Sequence, residues 1–208
     1  LNIPKNKFNN LQLKKILNHP NWKMGKKITI DSSTLMNKVF EIIEAKKIFN
    51  LSYNKLEILI HPQSYVHAII KFNDGLIKII AHETTMDIPI FNSVYLNEKK
   101  KIKTKNIDIK KLNNLKLSKV HGYKFPCVNI LKELALNDSL YETVIVSAND
   151  ELVNLFLNKK IKYNDIYLKL CKIINTNEFK RLKKILPSNA SDVIKTSENV
   201  RNKIKLLN

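Results

Sequence analysis

Residues 19–41 read H-P-N-W-K-M-G-K-K-I-T-I-D-S-S-T-L-M-N-K-V-F-E, and their types and spacing suit chemistry. Asn37 and Glu41 are four residues apart, so on a helix they share one face, with Lys38 and Ser33 flanking it. An amide, an ammonium and a carboxylate beside the hydroxyls of Ser32, Ser33 and Thr34 at a helix start suit a phosphorylated ligand with a divalent cation. A polar cluster before a helix is ordinarily a cap. The residues just inside it argue for a site, because a solvated helix does not need them. Upstream, His19, Trp22, Met24 and Gly25 mix apolar and polar groups without a strand or helix period, which fits a loop closing over a ligand.

Several elements must position these groups. The alternation Lys27-Ile28-Thr29-Ile30 predicts a strand. The tetrad Asp31-Ser32-Ser33-Thr34 then caps a helix over residues 33–49, with Met36, Phe40 and Ile43 at helical spacing and Asn50 as its C-cap. Residues 56–60 read as a strand broken by Pro62. Residues 64–72 and 76–81 read as two strands around the hairpin turn Asn73-Asp74-Gly75. A strand–helix–strand unit followed by a hairpin implies an α+β fold with a mixed sheet and helices. Residues 97–117, rich in Lys and Asn, read as an extended connector. From Tyr123 onward, Val128, Leu131, Leu134 and Ala135, then Leu152, Leu155 and Phe156, then Ile166, Leu170 and Ile173, recur at helical spacing and predict a small C-terminal helical bundle. Residues 1–18 read as a linker entering an amphipathic turn, with Leu11, Leu13, Ile16 and Leu17 available for packing.

Of 208 residues, 37 are Lys or Arg and 18 are Asp or Glu, a formal net charge of +19. That charge makes nucleic acid a fair first thought. The lysines alternate with Asn and Ile throughout, however, and Arg, the residue of bidentate phosphate and base contacts, occurs only at 181 and 201. The charge therefore reads as a compositional bias favouring anionic small molecules, not as a specific nucleic-acid face. No apolar run approaches the ~20 residues of a membrane span. Cys127 and Cys171 have no metal-ligand spacing and read as reduced thiols of a cytoplasmic protein. With three glycines and no G-x-G-x-x-G, the chain has no dinucleotide-binding loop.

The segment H-P-N-W-K-M-G-K-K-I-T-I-D-S-S-T-x-M-N-K-x-x-E, followed by E-A-K-K-I-F and H-P-Q-S-x-V-H, closely resembles 1-deoxy-D-xylulose 5-phosphate (DXP) reductoisomerases. The resemblance runs from about His19 to the C-terminus, strongest to Phe72. It implies an oxidoreductase and isomerase of the non-mevalonate isoprenoid pathway, dependent on NADPH and on Mg2+ or Mn2+, and working as a cytoplasmic homodimer on a phosphorylated sugar. Family members also carry an N-terminal dinucleotide domain, a D-S-E metal motif and a glycine-rich substrate loop, and none of these lies in the 208 residues. The chain thus reads as one entered midway. Residues 1–96 would be a portion of the catalytic domain, 97–121 a connector, and 122–208 the C-terminal helical domain.

Carried over residue by residue, the resemblance makes Glu41 a metal ligand. Ser32, Asn37 and Lys38 would grip the substrate's phosphate and hydroxyls. His19 would touch substrate from a mobile loop covered by Trp22 and Met24, and Gly25, Met24 and Met86 would lie along NADPH. Ser64 and His67 would line the catalytic pocket. The chain departs from the family pattern at Val39, where a glycine is usual, and around Met86, where A-H-E-T-T-M-D-I-P-I replaces L-G-x-P-D-M-R-x-P-I. Ser147-Ala148-Asn149-Asp150-Glu151 resembles the family's L-N-A-A-N-E segment and reads as a helix start without chemistry. Two other readings remain at this stage: a folded remnant without turnover, and a basic nucleic-acid-binding module.

Overall fold

Residues 27–30 alternate like a strand, yet they fold as helix. The computed structural model describes Ile16, residues 25–96 and residues 98–206. Its first long element, α1 (Lys26–Thr34), takes in the whole alternating run and the polar tetrad after it. The Lys27 ammonium lies 2.9 Å from the Asp31 carboxylate one turn on, and the Thr29 hydroxyl donates to the Gly25 carbonyl at 2.9 Å. Thr29, Ile30 and Asp31 are all buried. A half-buried strand would place the middle one of three successive residues on the opposite face from its neighbours. Four alternating residues are too short a signal to decide against helix.

The helix expected over 33–49 is divided. Leu35 adopts a left-handed φ of 60° and closes α1 through its N–H to the Ser32 carbonyl at 3.3 Å. The chain re-enters helix at once as α2 (Met36–Phe49). Left-handed backbone at a residue other than glycine costs about 1–2 kcal/mol, offset here by burial on both sides. Met36, Val39, Ile42 and Ile43 of α2 join the core. Val39, one of the departures from the family pattern, is fully buried, so its side chain packs inward. Asn50 ends α2 at φ 50°, as expected.

The described residues form two compact units. One comprises residues 25–58 and 121–206, with Ile16; the other comprises residues 59–120. In the first, a 3-10 run (Pro126–Glu133) leads to α5 (Leu140–Leu157), α6 (Tyr163–Ile174), α7 (Asn177–Lys180) and α8 (Ala190–Leu206). The Ser139 hydroxyl accepts from the Tyr141 N–H, and Glu142 reaches back to the Ser139 N–H at 3.0 Å, so Ser139 opens α5. The segment 147–151, expected to start a helix, lies in the middle of α5. Thirteen of that helix's residues are buried, because α1, α6 and α8 all pack against it. Cys127, free and buried, belongs to the same core.

The second unit carries β1 (Leu59–Ile60), β2 (Val66–Lys71), β3 (Ile77–Ala81), α3 (Asp87–Val94), α4 (Ile109–Asn113) and β4 (Ser118–Lys119). β2 and β3 form the expected hairpin, with Gly75 at φ 90° supplying its turn and the Leu76 N–H donating to Asp74. The α+β class stands. A mixed sheet is not formed among the described residues, where β1–β4 and β2–β3 are both antiparallel pairs. The described residues of the connector expected at 97–117 carry no regular element apart from α4, whose Lys111 forms an ion pair with Glu83 at 2.9 Å. No helix among the described residues is long and apolar enough to cross a membrane.

Candidate functional site

The break at Leu35 brings the end of α1 and the start of α2 together, and the first cluster sits on that joint. Ser32 is half-buried in the last turn of α1, and Asn37 and Lys38 stand in the first turn of α2, with Glu41 one turn on. The Lys38 ammonium contacts both carboxylate oxygens of Glu41, at 2.9 and 2.7 Å, and the Asn37 amide nitrogen lies 3.5 Å from the nearer one. Lys38 and Glu41 are well exposed, and such a pair contributes only about 0.2–1 kcal/mol. It exchanges partners at little cost.

Asn37 is different. Its Oδ1 is screened from solvent and accepts no hydrogen bond among the described residues. Leaving a buried acceptor unpaired costs about 1–3 kcal/mol, which a hydrogen-bond donor placed there would recover. An amide aimed inward, an ammonium and a carboxylate at the N-terminus of a 14-residue helix together suit an anion and a hard cation.

The hydroxyls around Ser32 divide. Thr34 Oγ1 accepts from the Met36 N–H at 3.3 Å, bridging the break. Ser33, expected beside the Asn37–Glu41 face, instead donates to the Ile30 carbonyl at 2.7 Å and meets the Tyr163 hydroxyl at 2.9 Å. Burial pushes the Tyr163 phenol up to about 12, so it stays protonated and available as a donor. Asp31, fully buried, accepts from the Asn149 amide at 2.8 Å, and burial raises its carboxyl above the ordinary range against the opposing pull of Asn149 and Lys27. Lys27 is held above its usual value: burial opposes its charge, but the carboxylates of Asp150 and Asp31 outweigh that. In the sequence Asp31 read only as part of a helix cap and Asn149 as part of a helix start, and Tyr163 did not stand out. The one signal for them is the i,i+4 spacing of Lys27 and Asp31, visible only once the segment is read as helix.

The second cluster lies in the other unit. Ser64 sits in the turn before β2 at a left-handed φ of 52°, its N–H donating to the His61 carbonyl at 3.0 Å. His61 Nδ1 is 2.8 Å from the Lys116 carbonyl, and Gln63 donates to the Asn114 carbonyl at 2.7 Å. These contacts tie the H-P-Q-S turn to the end of the connector. His67 stacks on His82 with ring centroids 3.7 Å apart. Met86 precedes α3 and is exposed. Asp87, one of the departures from the family pattern, accepts from the Thr85 hydroxyl at 2.8 Å in the first turn of α3. Gly25 stands at the N-terminus of α1 with open space where a side chain would be. His19, Trp22 and Met24 lie outside the described residues.

Comparison with known proteins follows the same segments. The family described as the 1-deoxy-D-xylulose 5-phosphate reductoisomerase C-terminal domain matches residues 1–49, and that described as the DXP reductoisomerase C-terminal domain matches residues 82–203. The 1-deoxy-D-xylulose 5-phosphate reductoisomerase of Pelagibacter ubique is 60% identical over 203 residues, covering 98% of this chain and 52% of that protein. Its counterpart in Aquifex aeolicus is 40% identical over 150 residues, covering 72% of this chain and 40% of its own length. A crystal structure of DOX-P reductoisomerase in complex with NADPH, fosmidomycin and magnesium superposes with a TM-score of 0.87 at 28% identity, over 99% of this chain and 52% of that one. The Zymomonas mobilis enzyme in complex with NADPH gives 0.81 at 27% identity, over 97% and 51%. The chain spans about half the length of the curated relatives it matches.

Proposed function

The chain belongs to the 1-deoxy-D-xylulose 5-phosphate reductoisomerase family, and from that premise we propose that it supplies the phosphate grip, one metal ligand and the helical C-terminal portion of an enzyme converting DXP to 2-C-methyl-D-erythritol 4-phosphate. The observation that carries the reading is the joint between α1 and α2, with Ser32 in the last turn of α1 and Lys38, Glu41 and Asn37, whose amide oxygen is buried without a partner among the described residues, at the start of α2. Ser32, Asn37 and Lys38 hold the phosphate, an anion that does not itself react, so its binding energy orients the reacting end of the sugar. As Lys38 turns to the phosphate, its exposed pair with Glu41 loosens and the carboxylate is released.

Glu41 then offers oxygen to a divalent cation, Mg2+ or Mn2+. The donor type fits such a hard ion, but the described residues hold no group of three or more metal-ligating side chains, so Glu41 is one ligand of a set completed elsewhere. The cation, when bound, polarises the ketone and neighbouring hydroxyl of the sugar. Met24, Gly25 and Met86 would lie along NADPH, which would supply the hydride. Ser64 and His67 line the pocket, and the loop bearing His19 and Trp22 closes over the substrate and excludes water. The same reading divides the chain into a catalytic portion to residue 96, a connector over 97–121 and a helical domain beyond. It assigns the whole enzyme to the cytoplasm as a homodimer.

The test is NADPH oxidation by the full-length gene product, started with DXP and either cation. Turnover that needs both, with KM raised in Asn37→Ala, is the expected result. A full-length product that binds neither DXP nor the cation would leave the folded-remnant reading in its place.

A further inference from the structure

Ser32 is flanked on both sides by residues whose side chains bond to the helical bundle. Asp31, just before it, is fully buried and accepts from Asn149 of α5 at 2.8 Å. Ser33, just after it, meets the hydroxyl of Tyr163 of α6 at 2.9 Å. Successive residues of a helix point about 100° apart, so pinning two neighbours of one residue to two different helices fixes the direction of the residue between them. The anchors are themselves stiffened. Lys27 bridges Asp31 at 2.9 Å and Asp150 at 2.7 Å, and Arg201 of α8 holds the other oxygen of Asp150 at 3.0 Å. Positive and negative groups alternate from α1 through α5 to α8, so each buried charge has a partner, which buried charges require.

Packing alone does not call for this arrangement. Ile30, Met36 and Val39 are already fully buried and hold the two helices in the core. A carboxylate at a fully buried position is expensive, and a hydrophobic residue of similar size would pack at least as well. What the polar contacts add is direction: a hydrogen bond fixes an angle that an apolar contact leaves loose.

We propose that Asn149 and Tyr163 are positioning residues, which hold α1 by Asp31 and Ser33 so that the Ser32 hydroxyl faces a phosphate-bearing ligand. The proposal rests on the reading of Ser32 as a phosphate contact. It gives the C-terminal helices a part in substrate recognition although they touch no substrate.

The experiment uses the full-length gene product, with inorganic phosphate and the phosphorylated substrate as probes. Tyr163→Phe removes one hydroxyl and keeps the ring; Asn149→Ala removes the other anchor. Each should weaken phosphate binding and raise KM by roughly fivefold, the share of a single hydrogen bond, while kcat changes less than twofold. Both changes should vanish when Ser32 is already alanine, since the anchors act through that hydroxyl. A purely structural role would lower the melting temperature and leave phosphate affinity of the folded protein unchanged, which overturns the proposal. Equal losses with and without the Ser32 hydroxyl overturn it too. If Ser32→Ala itself leaves phosphate binding intact, the reading of Ser32 fails, and the proposal falls with it. Should Asn149→Ala not fold, Tyr163→Phe and Ser33→Ala carry the test alone.

Discussion

The two units differ in how they keep their side chains in place. Every buried residue among those described lies in the unit formed by 25–58 and 121–206 with Ile16; the unit of 59–120 has none. The first cluster stands on helices locked by a core of Ile30, Met36, Tyr141, Leu152, Ile166 and Ile204, all essentially inaccessible. The second stands on a hairpin whose Ile69, Ile70, Ile77, Ile79 and Ile80 are all exposed. Neighbouring residues of a strand point to opposite faces, so Ile69 with Ile70 and Ile79 with Ile80 make both faces apolar. That is the pattern of a strand buried on two sides. A two-stranded hairpin is marginal by itself in water. Ser64 and His67 therefore stand on an element held by hydrogen bonds and one ring stack, whereas Ser32, Asn37 and Glu41 stand on helices locked into a packed core, with Ser32 further held between two hydrogen-bonded neighbours.

Four experiments test that contrast. The largest effect is chemical: Glu41→Gln in the full-length product should lower kcat by at least about 100-fold, since a metal contact contributes several kcal/mol to the transition state. Glu41 is exposed, so the melting temperature should hardly move. Retained cation-dependent turnover would remove Glu41 from the metal site.

Next comes the core. Leu152→Ala should destabilise the chain by about 2–5 kcal/mol in denaturant unfolding, whereas Ile79→Ala, half exposed on the hairpin, should stay within about 0.5 kcal/mol. Equal losses at the two positions would show that the hairpin is packed as tightly as the helices.

A smaller effect concerns Asp31. Its carboxyl is raised above the model-peptide value of 3.8, chiefly by burial, so over the range just above 3.8 the folded chain binds more protons than the unfolded one. Stability from this group is therefore fully present below 3.8 and declines as pH rises through the raised value. Asp138 and Glu178 are lowered, chiefly by hydrogen bonds from Lys46 and Lys203, and act in the opposite sense: their stabilisation is lost as pH falls. In thermal melts, the difference between wild type and Asp31→Asn should shift against the wild type as pH rises from about 3.8. A shift in the other direction would mean that the Lys27 pair outweighs burial.

The smallest expected effect is Lys38→Ala. Stability should change by less than about 1 kcal/mol, because the pair with Glu41 is exposed, while phosphate affinity should fall. A large loss of stability would make the pair a structural one.

What could be read in the linear chain was mostly short in range. Asn50 as a left-handed helix end, Gly75 in a hairpin turn and the helical stripes of α5 and α6 follow from local backbone preference and from periods of two or 3.6 residues. The family was legible too, since a long motif of unusual residue types names it without reference to shape. Three features needed the third dimension. The alternation over 27–30 became helix because Asp31 finds Asn149, 118 residues away, and four alternating residues cannot hold out against that contact. The left-handed turn at Leu35 exists because burial on both sides offsets its backbone cost, and nothing in the letters T-L-M announces it. Segment 147–151, which read as an inert helix start, became the middle of the most buried helix and supplies the partner of Asp31, because α1 and α8 close over it. Local preference is settled within a few residues of chain, whereas a buried carboxylate takes its meaning from whichever partner the fold brings to it.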